Sequence, residues 1–163
     1  TEWGPWSWSD ILTIEQPLEP QTEGSYDWIT LFGVMHHIFG HERRIRILDW
    51  ASRLLRPGGV VTISLWDFGS RPKWDRKKLP WADFAGPWGL DVSTLEPGDH
   101  LLGWADHTDT PRYCHWMDRN EEERFVQQVN DQCSNRLLPA TRVDTGVDLN
   151  RYWNWCASAT AGD

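Results

Sequence analysis

The sequence predicts an α/β fold: a parallel sheet built on a strand–helix–strand crossover, closed by a C-terminal antiparallel hairpin and interrupted by an inserted lid. Three observations carry this expectation. First, residues 26–32 and 60–66 are near-continuous apolar runs rich in β-branched and aromatic side chains, the pattern of strands buried on both faces of a parallel sheet. Second, the stretch between them has helical periodicity and stops at Pro57-Gly58-Gly59. A strand, a helix, a tight turn and a second strand form a βαβ unit, whose crossover leaves its strands parallel. Third, residues 135–144 and 149–157 read as strands around a turn at Gly146, hence a final hairpin. With 163 residues and no internal repeat, the chain is read as a single domain, residues 1–163.

The remaining elements follow in chain order. Residues 1–20 open with Trp3, Trp6 and Trp8, then a short strand-like run after Asp10 that Pro17 and Pro20 close. In residues 41–56, Ile45, Leu48, Ala51, Leu54 and Leu55 make an apolar stripe, with Arg43, Arg44, Arg46, Arg53 and Arg56 assigned largely off it. Residues 67–110 are rich in Pro, Gly, Trp and charge, and read as an insertion or lid with short helical turns. Residues 112–117 read as a strand. Asp118 then caps a helix over residues 120–132, with Phe125 and Val129 one turn apart.

The net charge of −8 disfavours a binder that grips nucleic acid over its whole surface. Charge is unevenly spread. Residues 1–30 carry six acids and no Lys or Arg, whereas residues 71–78 carry five bases and one acid. That basic stretch could steer one anionic ligand, with Trp74 stacking on a base, but a solvated basic loop is the preferred reading. Cys114, Cys133 and Cys156 form neither a disulfide framework nor a zinc motif. No apolar run approaches membrane-spanning length and no leader opens the chain, so a reduced, cytoplasmic protein without membrane contact is expected. His36, His37 and His41 have no Cys or carboxylate partner by spacing, and no metal is expected.

A family resemblance rests on Tyr26-Asp27-Trp28-Ile29, then Leu31-Phe32-Gly33-Val34-Met35-His36-His37-Ile38, then Leu54-Leu55-Arg56-Pro57-Gly58-Gly59. In this order and spacing they resemble the second half of a class I, Rossmann-like methyltransferase that uses S-adenosyl-L-methionine (SAM). Arg112-Tyr113-Cys114-His115, followed by a helix and a hairpin, is loosely similar to the tRNA wobble-uridine methyltransferase branch. The resemblance implies methyl transfer from SAM to an acceptor, RNA or a small molecule, with tRNA one candidate. It implies a cofactor wall at Phe32, Gly33, Val34, Met35, His36 and His37, where a glycine lets backbone approach a ligand beyond a strand end. It also implies Asp10 near the adenine amino group and Ile11 beside the ring. Trp66, Arg112 and Tyr113 are candidates to line the acceptor site. His115 is the candidate catalytic residue, because histidine exchanges protons near neutral pH. Cys114 reads as packing rather than nucleophile.

The family's glycine-rich D-x-G-x-G motif, and the acidic end of its second strand, are absent from these residues. The chain is therefore expected to begin just before the family's third strand, as a fragment, as one half of a complex, or as a domain that has lost its cofactor. The alternative function is a non-catalytic interaction module, in which a protein partner completes the sheet. A nicotinamide-dependent enzyme would need G-x-G-x-x-G, which is absent.

Overall fold

The computed structural model describes residues 23–104, 107–143 and 150–159, without the side chains of residues 104 and 107–109. Strand β1 (Tyr26–Leu31), helix α1 (His41–Leu54) and strand β2 (Leu55–Trp66) form the expected crossover, and β1 and β2 pair in parallel. β7 (Asn150–Cys156) runs antiparallel to β2 on its other side and to β6 (Thr141–Val143), giving the order β1-β2-β7-β6. The C-terminal hairpin is thus present, with Gly146 outside the described residues.

Residue alternation explains the core. Val61, Ile63 and Leu65 point to one face of β2, and Trp155 on β7 pairs with Val61 on that face. Ile45, Leu48 and Ala51 of α1 and Phe125, Val126 and Val129 of α2 (Arg119–Gln132) close over them in one buried cluster. Each Val, Leu, Ile or Phe side chain among them contributes about 1.5–3 kcal/mol on burial. Asp118 caps α2, its carboxylate accepting the Glu121 amide at 2.7 Å.

The Pro57-Gly58-Gly59 turn is held within the sheet rather than projecting from it. The β1–β2 register is irregular there: Tyr26 pairs with Leu55, yet Trp28 pairs with Val60. Gly58 sits at φ +78°, and a Cβ on Gly59 would lie 2.9 Å from the carbonyl oxygens of Arg56 and Tyr26. Only glycine fits this close approach. The Gly58 amide donates to the Ala157 carbonyl at 3.1 Å, and the Ala157 amide to the Gly59 carbonyl at 2.7 Å.

Four expectations need correction. β1 is not buried on both faces: Tyr26 is 44% and Trp28 63% exposed, because among the described residues β1 has a strand neighbour on one side only. Residues 67–110 do not form only a lid of helical turns. They carry 3₁₀ turns at Pro72–Lys77, Trp81–Asp83 and Val92–Thr94, but also β3 (Lys78–Leu79) and β4 (Asp99–Trp104). These pair with β5 (His107–His115) as a second, antiparallel sheet in the order β3-β4-β5. The strand expected at residues 112–117 is the end of this longer β5. Finally, Arg44 is fully buried rather than set on the solvated face of α1.

Candidate functional site

The site forms where β1 and β2 end and β5 crosses them. After β1 the chain turns at Gly33, φ +69°, whose amide donates to Ser64 Oγ of β2 at 2.9 Å. Among the described residues, nothing lies within 4 Å of where a Gly33 Cβ would be, so on their side the space above this backbone is open. A single 3₁₀ turn, Met35–His37, follows, anchored by the fully buried Met35. The His36 ring sits 4.2 Å from that of His37 and 5.0 Å from that of Trp66, at the end of β2. Its Nδ1 is buried with no hydrogen-bond partner among the described residues. Burial first, then the neighbouring His37 and Arg112, push the His36 imidazole down to about 3, so it is neutral at physiological pH.

β5 supplies the opposite wall. The Arg112 guanidinium lies 5.3 Å over the Trp66 ring. The Tyr113 carbonyl accepts from His37 Nδ1 at 2.9 Å. Met35, His36, Leu65, Trp66, His115 and Met117 line a small cleft between these elements. Phe32 is exposed and meets the Tyr152 ring edge-on at 5.8 Å.

Beneath this wall lies a buried charge network. Asp99 of β4 accepts from the Tyr113 hydroxyl at 2.6 Å, from His115 Nδ1 at 2.7 Å and from the Glu96 amide at 2.9 Å. His115 Nε2 faces Glu121 Oε1 at 2.7 Å. Arg44 of α1 donates to Glu96 and, at 2.8 Å, to the Ile38 carbonyl, while Glu96 also accepts the His41 amide at 2.6 Å. Burial raises the Asp99 carboxyl, but the bonds from His115, Tyr113 and the Glu96 amide outweigh it and hold Asp99 below its ordinary value. Burial likewise lowers His115, but Asp99 and Glu121 outweigh it and hold the imidazole above its ordinary value. The Tyr113 phenol is pushed far up, by burial and then by Asp99. The network holds the inserted sheet against α1 and α2.

The sequence candidates therefore separate. Phe32, Gly33, Val34, Met35, His36, His37, Trp66 and Arg112 gather at the strand ends. Tyr113 divides: its carbonyl meets His37 and its hydroxyl joins the network. His115 is 2% exposed, with a carboxylate at each ring nitrogen. Asp10 and Ile11 lie outside the described residues. Cys114 is buried and its thiol pushed up to about 11 by burial, in keeping with packing. Trp74 stands edge-on to Trp66 at 4.7 Å, with the Lys73 and Lys77 ammonium groups about its ring at 5.5 and 5.6 Å. It is already engaged by protein, which favours the structural reading of the basic stretch. His41 turns away from His36 and His37 to meet Gln128 Oε1 at 2.7 Å. Arg44, Glu96, Asp99 and Glu121 escaped the sequence reading. Arg44 alone carried a signal, because it lies one helical turn before Leu48 on the apolar stripe.

No family model matches the chain. Over 103 residues it is 29% identical to the Mus musculus protein "Probable tRNA methyltransferase 9B", a match spanning 63% of this chain and 22% of that one. A SAM-dependent methyltransferase from Methanosarcina mazei superposes with a TM-score of 0.52 at 11% identity, covering 83% of this chain and 60% of that one. A Rhodobacter sphaeroides protein described as a Zn-dependent alcohol dehydrogenase superposes equally well, at 0.52 and 12% identity, covering 88% of this chain and 63% of that one. The chain thus spans less than two thirds of the length of each. It has the α/β fold of class I SAM-dependent methyltransferases, with parallel and antiparallel strands in one sheet.

Proposed function

We propose that this chain takes part in methyl transfer from SAM, with the backbone from Phe32 to His37 forming one wall of the donor site. The carrying observation is the open turn at Gly33, at the carboxyl end of β1 and tied to β2 through Ser64. Ligands of open α/β sheets bind at such strand ends. The residues present fit one side of the cofactor: unobstructed backbone at Gly33, an exposed aromatic at Phe32 and an unpartnered buried nitrogen on His36. Bound SAM would supply an electrophilic methyl group. The neutral His36 imidazole adds no positive charge beside a sulfonium. Trp66 and Arg112 would border the acceptor and exclude water. His115 is read as a holding residue, since both its nitrogens face carboxylates. The name of the mouse relative supports tRNA as the acceptor class, and a cytoplasmic setting goes with that reading. Among the described residues, no helix is long and apolar enough to cross a membrane.

A second reading has its own observation. The outer edge of β1, with Trp28 and Tyr26 exposed, suits strand addition by a protein partner. Calorimetry with SAM and S-adenosylhomocysteine separates the two. Saturable micromolar binding supports the donor site. Absence of heat, together with no labelling of total tRNA by methyl-tritiated SAM, leaves the interaction module.

A further inference from the structure

The geometry points to His37 as the proton acceptor for the methyl acceptor, which must then carry an ionisable O–H or N–H at its reacting atom. This assignment rests on the methyl-transfer reading above. A carbonyl oxygen can only accept a hydrogen bond, so the 2.9 Å contact between Nδ1 of His37 and the Tyr113 carbonyl requires the proton to be on Nδ1. In the neutral ring Nε2 is then the nitrogen with the free lone pair. The same contact fixes the ring, because it ties the turn after β1 to the backbone of β5. Packing against His36 at 4.2 Å restricts the ring further. Yet His37 is itself exposed, unlike His115, so a bound molecule can reach it.

An oriented, accessible imidazole with one nitrogen held by an acceptor is the arrangement that general-base histidines need. His37 stands beside the cleft wall formed by His36 and Trp66, at the strand end where a ligand is expected. Among the described residues, three ionisable or charged groups bear on it. His36 adjoins it on the same turn and is neutral. From β5, Cys114 Sγ lies 3.9 Å from its Nδ1, with a thiol that stays protonated. Arg112, on the same strand, acts electrostatically on His36. None of these supplies a competing base.

The step balances without a further reactant. The acceptor's oxygen or nitrogen forms a bond to the methyl carbon as the carbon–sulfur bond breaks, and that bonding pair leaves with sulfur. The acceptor's proton passes to His37 Nε2. The resulting imidazolium keeps its Nδ1 bond to Tyr113 and later releases the proton to water.

The test has two arms on the full chain. Imidazole ¹⁵N NMR at neutral pH should show His37 as the Nδ1–H form. With total tRNA and methyl-tritiated SAM, His37→Gln should lower kcat by about 10²–10⁴-fold. The loss should fall on kcat more than on the KM for tRNA. Added imidazole should partly restore His37→Ala, which a purely structural role would not allow. The Nε2–H form, or a Gln variant that keeps the parent rate, overturns the assignment. No transfer by the unaltered chain overturns the underlying methyl-transfer reading, a result distinct from transfer that survives in His37→Gln.

Discussion

Asp99→Asn is the substitution for which the structure gives the sharpest expectation. The carboxylate is buried and accepts three hydrogen bonds, from the Tyr113 hydroxyl, His115 Nδ1 and the Glu96 amide. The amide is nearly isosteric, so packing is retained while one charge is lost. The protonated His115 then keeps Glu121 at 2.7 Å and Glu96, more distant at 3.5 Å and shared with Arg44, as carboxylate partners. Breaking one side of a buried ion pair costs about 3–5 kcal/mol, because the remaining charge is left poorly compensated. For a chain of this size that corresponds to a fall in Tm of roughly 6–20 °C.

The pH dependence of that stability has two limbs. Asp99 is held below its ordinary 3.8, so its contribution is present above that value and is lost as pH falls through the lower folded one. His115 is held above 6.5, so its contribution is full below 6.5 and is lost as pH rises through the higher folded value. Urea unfolding of the parent should therefore be most resistant between these limits. In Asp99→Asn the acid limb should shrink. The alkaline decline should also begin at lower pH, because His115 has lost the partner that contributes most to raising it. A variant within about 1 kcal/mol of the parent, with an unshifted alkaline limb, would refute the charge network as the clasp of the inserted sheet.

Three further outcomes are expected. Arg44→Met removes the buried cation that Glu96 and the Ile38 carbonyl share, and should cost about 3–5 kcal/mol. Amide exchange should quicken in β4 more than in β7, and uniform acceleration would argue against a local clasp. Gly33→Ala places a side chain at φ +69°, a cost of about 1–2 kcal/mol, while the added Cβ meets none of the described residues. The fold should survive by circular dichroism while SAM affinity falls; unchanged affinity would move the donor site elsewhere. Alkylation of the native protein should modify Cys156 first, because Cys114 and Cys133 are buried with thiols pushed up by burial. Mass spectrometry showing early modification of Cys114 would contradict that packing.

The sequence disclosed what local pattern encodes and missed what distant pairing decides. The run from Tyr26 through Gly59 announced its crossover, because apolar runs, helical spacing and a Pro-Gly-Gly stop are all local signals. Asp118 likewise announced the start of α2. The second sheet was not legible, since Lys78–Leu79 has only two residues and meets its partners Leu102 and Leu101 more than twenty positions away. Arg44 was misplaced for a related reason. Its place one turn before Leu48 hinted at burial, but its counter-charge, Glu96, lies 52 positions away on the inserted segment, so the pairing was not legible. β1 misled by composition: an apolar run shows a strand, but exposure depends on which neighbours the sheet provides. The position of Phe32 to His37 at a strand end was readable, because the apolar run before Gly33 marks where β1 stops. The division of Tyr113 and His115 from Arg112 was not, because it depends on which side chains β4 and α2 bring up beneath β5.

The most direct test of the proposed donor site is ultraviolet cross-linking of radiolabelled SAM to the purified chain, with the modified residue located by mass spectrometry. Label confined to the segment from Phe32 to His37, and competed by S-adenosylhomocysteine, is the expected result. Saturable label that maps to the β3-β4-β5 sheet, or no competable label at all, would contradict it.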